Sequence, residues 1–252
     1  MPDENTVMLA ARAVDMRFGG VKALSGVEIE LRRGITTGLI GPNGSGKSTL
    51  INVLTGVYRQ TSGAVEFLGE DISRVSARSR ALRGLGRTFQ HPQVARSLTV
   101  RENIAVAAEL RRHDDAMGVD DALVVFGCSE YADQLPPQVP YGVLKLMEIA
   151  RAVVCGPRVL LLDEPAAGLN HDERRELVES LQRFRNTHDT AVCLIEHDVA
   201  LVRALCSELV VLESGRVLGR GPTADVLQDP RVRAAYLGDD MAESNVEAGD
   251  PS

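Results

Sequence analysis

Short apolar runs set the frame of this chain. One lies at Ile35 to Ile40, and two more at Val159 to Leu162 and Ala191 to Ile195. The last two are unbroken and too short for helices, which is the pattern of strands buried on both faces of a parallel sheet. Residues 7 to 40 alternate in period two around turn signals at Gly19-Gly20 and Arg33-Gly34, predicting a small antiparallel sheet ahead of the central one. Helical spacing then runs from Thr99 to about Arg112, from Asp120 to Phe126 and from Val143 to Val154, with Thr99 and Glu102 set as a capping box. These segments predict an inserted helical region over about 91–155. The charged stretch His171 to Arg185 reads as a surface helix. After Asp198 the pattern predicts a helix, a hairpin around Ser214-Gly215 and a last helix ending near Leu237. The expected organisation is one α/β domain over 1–238 and an acidic, small-residue tail over 239–252 that reads as disordered.

Composition narrows what such a domain does. With 252 residues and 44% hydrophobic content, the chain has enough apolar mass for a large core. A net charge of −7 argues against bulk attraction to nucleic acid. No apolar run approaches the roughly twenty residues that span a bilayer, and the N-terminus lacks the charged and apolar regions of a signal peptide. Cys128, Cys155, Cys193 and Cys206 have no metal or redox spacing and read as small buried hydrophobes in a reducing cytoplasm.

The chemistry is concentrated where the strands end. Gly41-Pro42-Asn43-Gly44-Ser45-Gly46-Lys47-Ser48 follows the first apolar run and opens a helix through Thr49 to Leu54. Its glycines let backbone N–H groups converge on an anion, Lys47 reaches the β and γ phosphates, and the Ser48 hydroxyl suits Mg2+. A Gly/Ser turn with an incidental lysine does not combine all eight positions with a strand before and a helix after. Val159-Leu160-Leu161-Leu162-Asp163-Glu164 supplies the complement: Asp163 faces the metal and Glu164 polarises the water that attacks the γ phosphate. Pro165 leaves a plainer reading of Glu164, as a carboxylate at a helix start. Phe18, in the first hairpin turn, is placed to stack on adenine or to close a strand end.

The order of phosphate loop, Thr88-Phe89-Gln90, Leu162-Asp163-Glu164-Pro165 and Glu196-His197-Asp198 resembles an ATP-binding cassette (ABC) transporter ATPase. Met16-Arg17-Phe18-Gly19-Gly20, Arg87-Thr88-Phe89-Gln90, Pro140-Tyr141-Gly142, Ala166-Ala167-Gly168-Leu169-Asn170 and Ala235-Tyr236-Leu237-Gly238 are similar, more narrowly, to the ATPases of branched-chain amino acid importers. The resemblance covers nearly the whole chain. It implies a P-loop core with a mixed sheet flanked by helices, an N-terminal antiparallel β subdomain and an inserted helical subdomain. It also implies that Gln90 touches Mg2+ and the attacking water, that His197 is the switch histidine near the γ phosphate, and that Asn170 bonds across a dimer interface. Tyr141 and Gly142 fall in the signature that closes on a partner's ATP.

That signature departs from the common Leu-Ser-Gly-Gly-Gln, since Val139-Pro140-Tyr141-Gly142-Val143 lacks the serine hydroxyl and Pro140 offers no N–H. Gly142 and the helix start remain, with N–H groups suited to phosphate oxygens. The resulting expectation is an ATP-hydrolysing importer subunit using ATP and Mg2+, on the inner face of the membrane. Its expected partners are integral permease subunits, a second ATP-binding subunit and, indirectly, an extracytoplasmic solute-binding protein. A regulatory cassette with weak turnover and a soluble, non-transport ABC ATPase stay open as alternatives.

Overall fold

The computed structural model describes residues 6–89, 92–110 and 116–237. Among the described residues, ten strands form two sheets: β1 (Val7–Phe18), β2 (Val21–Arg32), β3 (Thr36–Ile40), β4 (Ser62–Phe67), β5 (Glu70–Asp71), β6 (Leu85–Arg87), β7 (Val159–Asp163), β8 (Ala191–Ile195), β9 (Glu208–Glu213) and β10 (Arg216–Pro222). The helices are α1 (Lys47–Leu54), α2 (Ala77–Leu82), α3 (Val100–Ala108), α4 (Val119–Val125), α5 (Tyr141–Val153), α6 (His171–Thr187), α7 (Val199–Leu205), α8 (Thr223–Val226) and α9 (Pro230–Val232).

The first sheet is antiparallel, ordered β2-β1-β4-β5, and the second is mixed, ordered β10-β9-β3-β8-β7-β6. Residues 36–40 therefore belong to the mixed sheet and not to the antiparallel one in which the alternating pattern of residues 7 to 40 placed them. The reason is burial: all five residues of β3 are buried, so no solvent-facing side is left to alternate. β4 and β5 complete the antiparallel sheet from beyond the phosphate loop. β4 pairs with β1 more than forty residues away, as in Leu9↔Phe67, and nothing local announces it; β5 then pairs with β4.

Strand alternation divides the core between the two faces of the mixed sheet. Leu160, Leu162, Val192, Leu194, Leu209 and Val211 join the cluster built with α5, α6 and α7. Val159, Leu161, Cys193, Ile195, Val210 and Leu212 join the one built with α1 and the antiparallel sheet. The described residues between β6 and β7 carry helices only. There α3 starts with the capping box expected from Thr99 and Glu102, and it packs with α4 and α5. Buried Asn103 ties the preceding loop to α3, donating to the carbonyls of Ala95, Leu98 and Thr99.

One buried cation fastens the phosphate-loop helix. Arg80, 1% exposed, donates through Nη1 to the Val53 and Leu54 carbonyls at the end of α1 (2.8 and 2.7 Å). Its Nη2 and Nε reach Ile72 O (2.7 Å) and Val75 O (3.0 Å). A positive charge at a helix C-terminus is favoured by the dipole, and here it also satisfies carbonyls that water cannot reach. Arg80→Met is expected to lower unfolding free energy by about 2–4 kcal/mol, because several buried acceptors lose a charged donor. Urea unfolding measures this; a loss under about 1 kcal/mol would mean that the carbonyls find other donors.

Candidate nucleotide site

The mixed sheet brings the functional strand ends together by register. β8 lies between β3 and β7, so Ile195 pairs with Leu39 on one side and with Asp163 on the other. Gly41, Glu164 and His197 all follow at the same carboxyl edge, where parallel α/β sheets bind ligands.

The phosphate loop is pressed between other backbones. Gly41 has φ 152, and a Cβ on it would lie 2.1 Å from the Leu212 carbonyl oxygen of β9. Gly46, with φ 106, sits where a Cβ would meet Ala23 O of β2 at 2.9 Å. Gly215 N–H donates to Ser45 O (2.9 Å), holding the loop to the β9–β10 turn. Inside the loop, Ser45 Oγ is buried and meets no hydrogen-bond partner among the described residues. A buried hydroxyl without an acceptor is costly, and a phosphate oxygen supplies one. Lys47 Nζ donates to Gly41 O (2.6 Å) and Pro42 O (3.1 Å), curling over the loop. Burial lowers its pKa, while Glu164 and Asp163 oppose that. Gly46 leaves α1 without a side-chain cap, so Asn43, Gly44 and the first turn with Ser48 and Thr49 present backbone N–H groups at a positive helix end.

Asp163 has a partner that its sequence neighbours did not suggest. Arg87 Nη2 bonds Asp163 Oδ2 at 3.0 Å, Nη1 bonds Asn52 Oδ1 of α1 at 2.7 Å, and the guanidinium lies 5.2 Å from the Phe89 ring. Glu164 follows with a left-handed backbone, φ 46, which costs a non-glycine residue about 1–2 kcal/mol. Its N–H donates to Ile195 O (3.0 Å) and its carbonyl accepts Ala167 N–H (3.1 Å), so the turn is bound to β8. The helix-start reading of Glu164 does not hold: α6 begins at His171, and Asn170 is its N-cap, paired with Glu173 in a capping box. Asn170 thereby has a partner within the chain. His197 is largely exposed at the edge, its Nδ1 3.9 Å from Glu196 Oε2.

Phe18 is 44% exposed and meets Tyr58 edge-on at 5.3 Å. It pairs with Val21, two residues before the Ala23 that backs the phosphate loop. Gln90 lies outside the described residues, as does the tail. The residues flanking Gln90 are tied to α5: Phe89 N–H donates to Glu148 Oε1 (3.3 Å), and Arg151 Nη1 donates to Gln93 O.

The signature region starts α5 two residues earlier than the apolar pattern implied, at Tyr141. Tyr141 packs against Gly168, where a Cβ would stand 3.1 Å from its ring. The N–H of Gly142 is not free for an outside anion, because it donates to Glu173 Oε1 at 3.3 Å. Sequence reasoning missed Lys145, which sits beside the site, and it named Arg87 and Glu196 only as parts of motifs. The identifiable signal for each was a charged residue inside a run otherwise destined for burial.

A phosphate loop on a parallel strand, with an Asp-Glu pair at the end of a nearby one, defines a P-loop nucleotide hydrolase. The family model "ABC transporter" matches residues 24–167, and "Branched-chain amino acid ATP-binding cassette transporter" matches 216–242. The chain belongs to the ABC transporter ATP-binding family and hydrolyses ATP. It is similar to the high-affinity branched-chain amino acid transport ATP-binding protein LivG of Salmonella typhimurium, 37% identical over 250 residues, spanning 92% of this chain and 98% of that one. It is likewise similar to BraF of Pseudomonas aeruginosa, 34% identical with the same coverage. Among solved structures, the ADP conformation of the ATP-binding cassette MJ1267 superposes with a TM-score of 0.81 at 30% identity, covering 92% of this chain and 99% of that one.

Gly41→Ala tests the loop geometry. The added Cβ cannot coexist with the Leu212 carbonyl, so nucleotide affinity is expected to fall at least about tenfold with the far-UV spectrum retained. Titration with a fluorescent ATP analogue reads the change, and native affinity would show that the loop tolerates a different path.

Proposed function

We propose that this chain is the ATPase subunit of an importer for branched-chain or other hydrophobic amino acids, or a related small solute. The observation that carries the catalytic part is the convergence of the phosphate loop, Asp163-Glu164 and His197 at one sheet edge through the β3-β8-β7 register. The solute assignment is supported by the names of the relatives and by the family match at 216–242. Among the described residues, no helix is long and apolar enough to cross a membrane. Transport therefore calls for permease subunits, with this chain peripheral on the inner face, a second ATP-binding subunit beside it and a solute-binding protein outside.

In this reading Phe18 stacks on adenine, and Gly41 to Thr49 cradle the phosphates. The Ser48 hydroxyl and Asp163 carboxylate are hard oxygen donors of the kind Mg2+ takes, with Gln90 as a further oxygen. When bound there, Mg2+ would supply positive charge against the phosphates. Glu164 accepts the proton of the attacking water, and His197 donates toward the γ phosphate. The helical segment over about 91–155 passes movement to the permeases.

Glu164→Gln is expected to keep ATP affinity within a few fold while lowering turnover by about 10² or more, since the proton acceptor is lost and the cradle is not. Lys47→Ala should weaken binding itself. Native turnover by Glu164→Gln in the assembled transporter would remove it as the base. For the solute, uptake of labelled leucine by vesicles carrying the full transporter is the direct test. ATP-driven uptake of an unrelated solute alone would overturn the assignment.

The signature supports an asymmetric version of this function. Pro140 is the N-cap of α5 and makes no side-chain cap bond. Pro140→Ser restores both a cap and a hydroxyl, and is expected to stabilise the chain by about 0.5–2 kcal/mol and to raise turnover at the partner's site. Thermal unfolding and ATPase assays with and without the partner subunit read the two effects. An unchanged rate with a raised melting temperature would confine Pro140 to a structural role.

A further inference from the structure

The turn that carries Glu164 is gripped by two buried charges from different parts of the chain. Lys145, from α5, and Glu196, from the end of β8, are each 1% exposed. Lys145 Nζ donates to the Glu164 carbonyl at 3.4 Å, with the Tyr141 ring 5.9 Å away. On the other side of the turn, Glu196 Oε1 accepts the Ala166 N–H at 3.0 Å. Its Oε2 accepts the His197 N–H at 3.3 Å and lies 3.9 Å from His197 Nδ1. One carboxylate thus touches both the turn after Glu164 and the residue expected to face the γ phosphate.

Burying an ammonium and a carboxylate is expensive unless each is compensated. Burial lowers the pKa of Lys145, and Glu148, Glu196, Glu164 and Asp163 all oppose that lowering; burial raises the pKa of Glu196, and the Ala166 hydrogen bond and His197 oppose it. A pair kept only to fill the core would be replaceable by apolar side chains of similar size. Here both members direct hydrogen bonds at the backbone of a single turn, whose first residue is held in the left-handed region. Such a conformation persists in a non-glycine residue only where its surroundings over-determine it.

We propose that Lys145 and Glu196 are positioning residues for ATP hydrolysis. Together they fix the Glu164–Ala167 turn in the conformation that aims Glu164 at the attacking water. Glu196 ties that aim to His197, and Lys145 ties it to α5, the helix that begins with Tyr141 and Gly142. A shift of α5 then alters the placement of the base without touching the phosphate cradle. The proposal rests on Glu164 being the base.

The test uses full-length chains carrying Lys145→Met, Glu196→Gln, and both together. Each single change leaves a buried charge less compensated, so each should lower the melting temperature. It should also lower kcat by about 10- to 100-fold with KM for ATP within about threefold, as misaimed catalytic groups do. The double variant removes both charges, and is expected to regain most of the melting temperature while kcat stays low. Recovery of kcat together with stability in the double variant would reduce the pair to a core ion pair and overturn the proposal, as would native kcat in either single variant. Glu164→Gln in the same assay separates the two claims: if it turns over at the native rate, the assignment of the base fails, whatever the pair does.

Discussion

Everything at the nucleotide edge depends on the parallel register of three short strands. Because Ile195 of β8 pairs with Leu39 of β3 and with Asp163 of β7, the phosphate loop, the Asp-Glu pair and His197 leave the sheet side by side. A slip of one residue on β7 would exchange its two faces. Leu160 and Leu162, now packed on the helical side, would turn toward α1, and Asp163 would point away from the site. Register is enforced on both faces at once, since β3 and β8 are buried along their whole length. The same hydrophobic packing that stabilises the sheet therefore sets the geometry of the proposed catalytic groups.

A second level of order comes from α5. Nine of its thirteen residues are buried, including Lys145 and Glu148, so it is packed nearly all round and cannot move as a loosely attached surface helix. It contacts three different parts of the site through polar groups. Gly142 N–H meets Glu173 at the start of α6, Lys145 meets the Glu164 turn, and Glu148 and Arg151 hold the backbone on either side of residues 90–91. These are directional bonds across otherwise apolar packing, so a displacement of α5 is transmitted selectively to these three places.

The elements with strong periodicity were legible in the sequence because local burial dictates them. β7, β8, the Thr99–Glu102 cap and the hairpin at Ser214-Gly215 all have a local physical cause. The phosphate loop was equally plain, since its glycines answer to backbone approach: Gly41 faces the Leu212 carbonyl and Gly46 faces Ala23. What stayed hidden was partnership across sequence distance. Arg87 and Asp163 are seventy-six positions apart, and Glu196 reaches back thirty to Ala166. Polarity alone predicts that Arg80, Lys145 and Glu196 face water. Each is buried because it satisfies backbone carbonyls or N–H groups that only the assembled fold brings together. The strands and helix between residues 62 and 87 were likewise silent, being two to six residues long, with β4 and β6 paired to remote strands.

The signature illustrates how such partnerships change a chemical reading. A helix start with an unfilled N–H is a receptor for phosphate, and from sequence Gly142 looked like one. In the structure Glu173 accepts that N–H through one oxygen and, through the other, the N–H of Asn170 at 2.9 Å. The side-chain oxygen of Asn170 in turn accepts the Glu173 N–H at 3.0 Å. Any outside anion that takes the Gly142 N–H competes with a carboxylate already in place, and displacing that carboxylate weakens the cap of α6. A Cβ there would lie 2.6 Å from Glu173 Oε1, so any larger residue would force the Glu173 side chain to shift. In the proposed dimer, the affinity of this signature for a partner's phosphate would therefore be set by a difference between two anions competing for one donor, and the serine missing at Pro140 removes a hydroxyl that would have favoured the outside one.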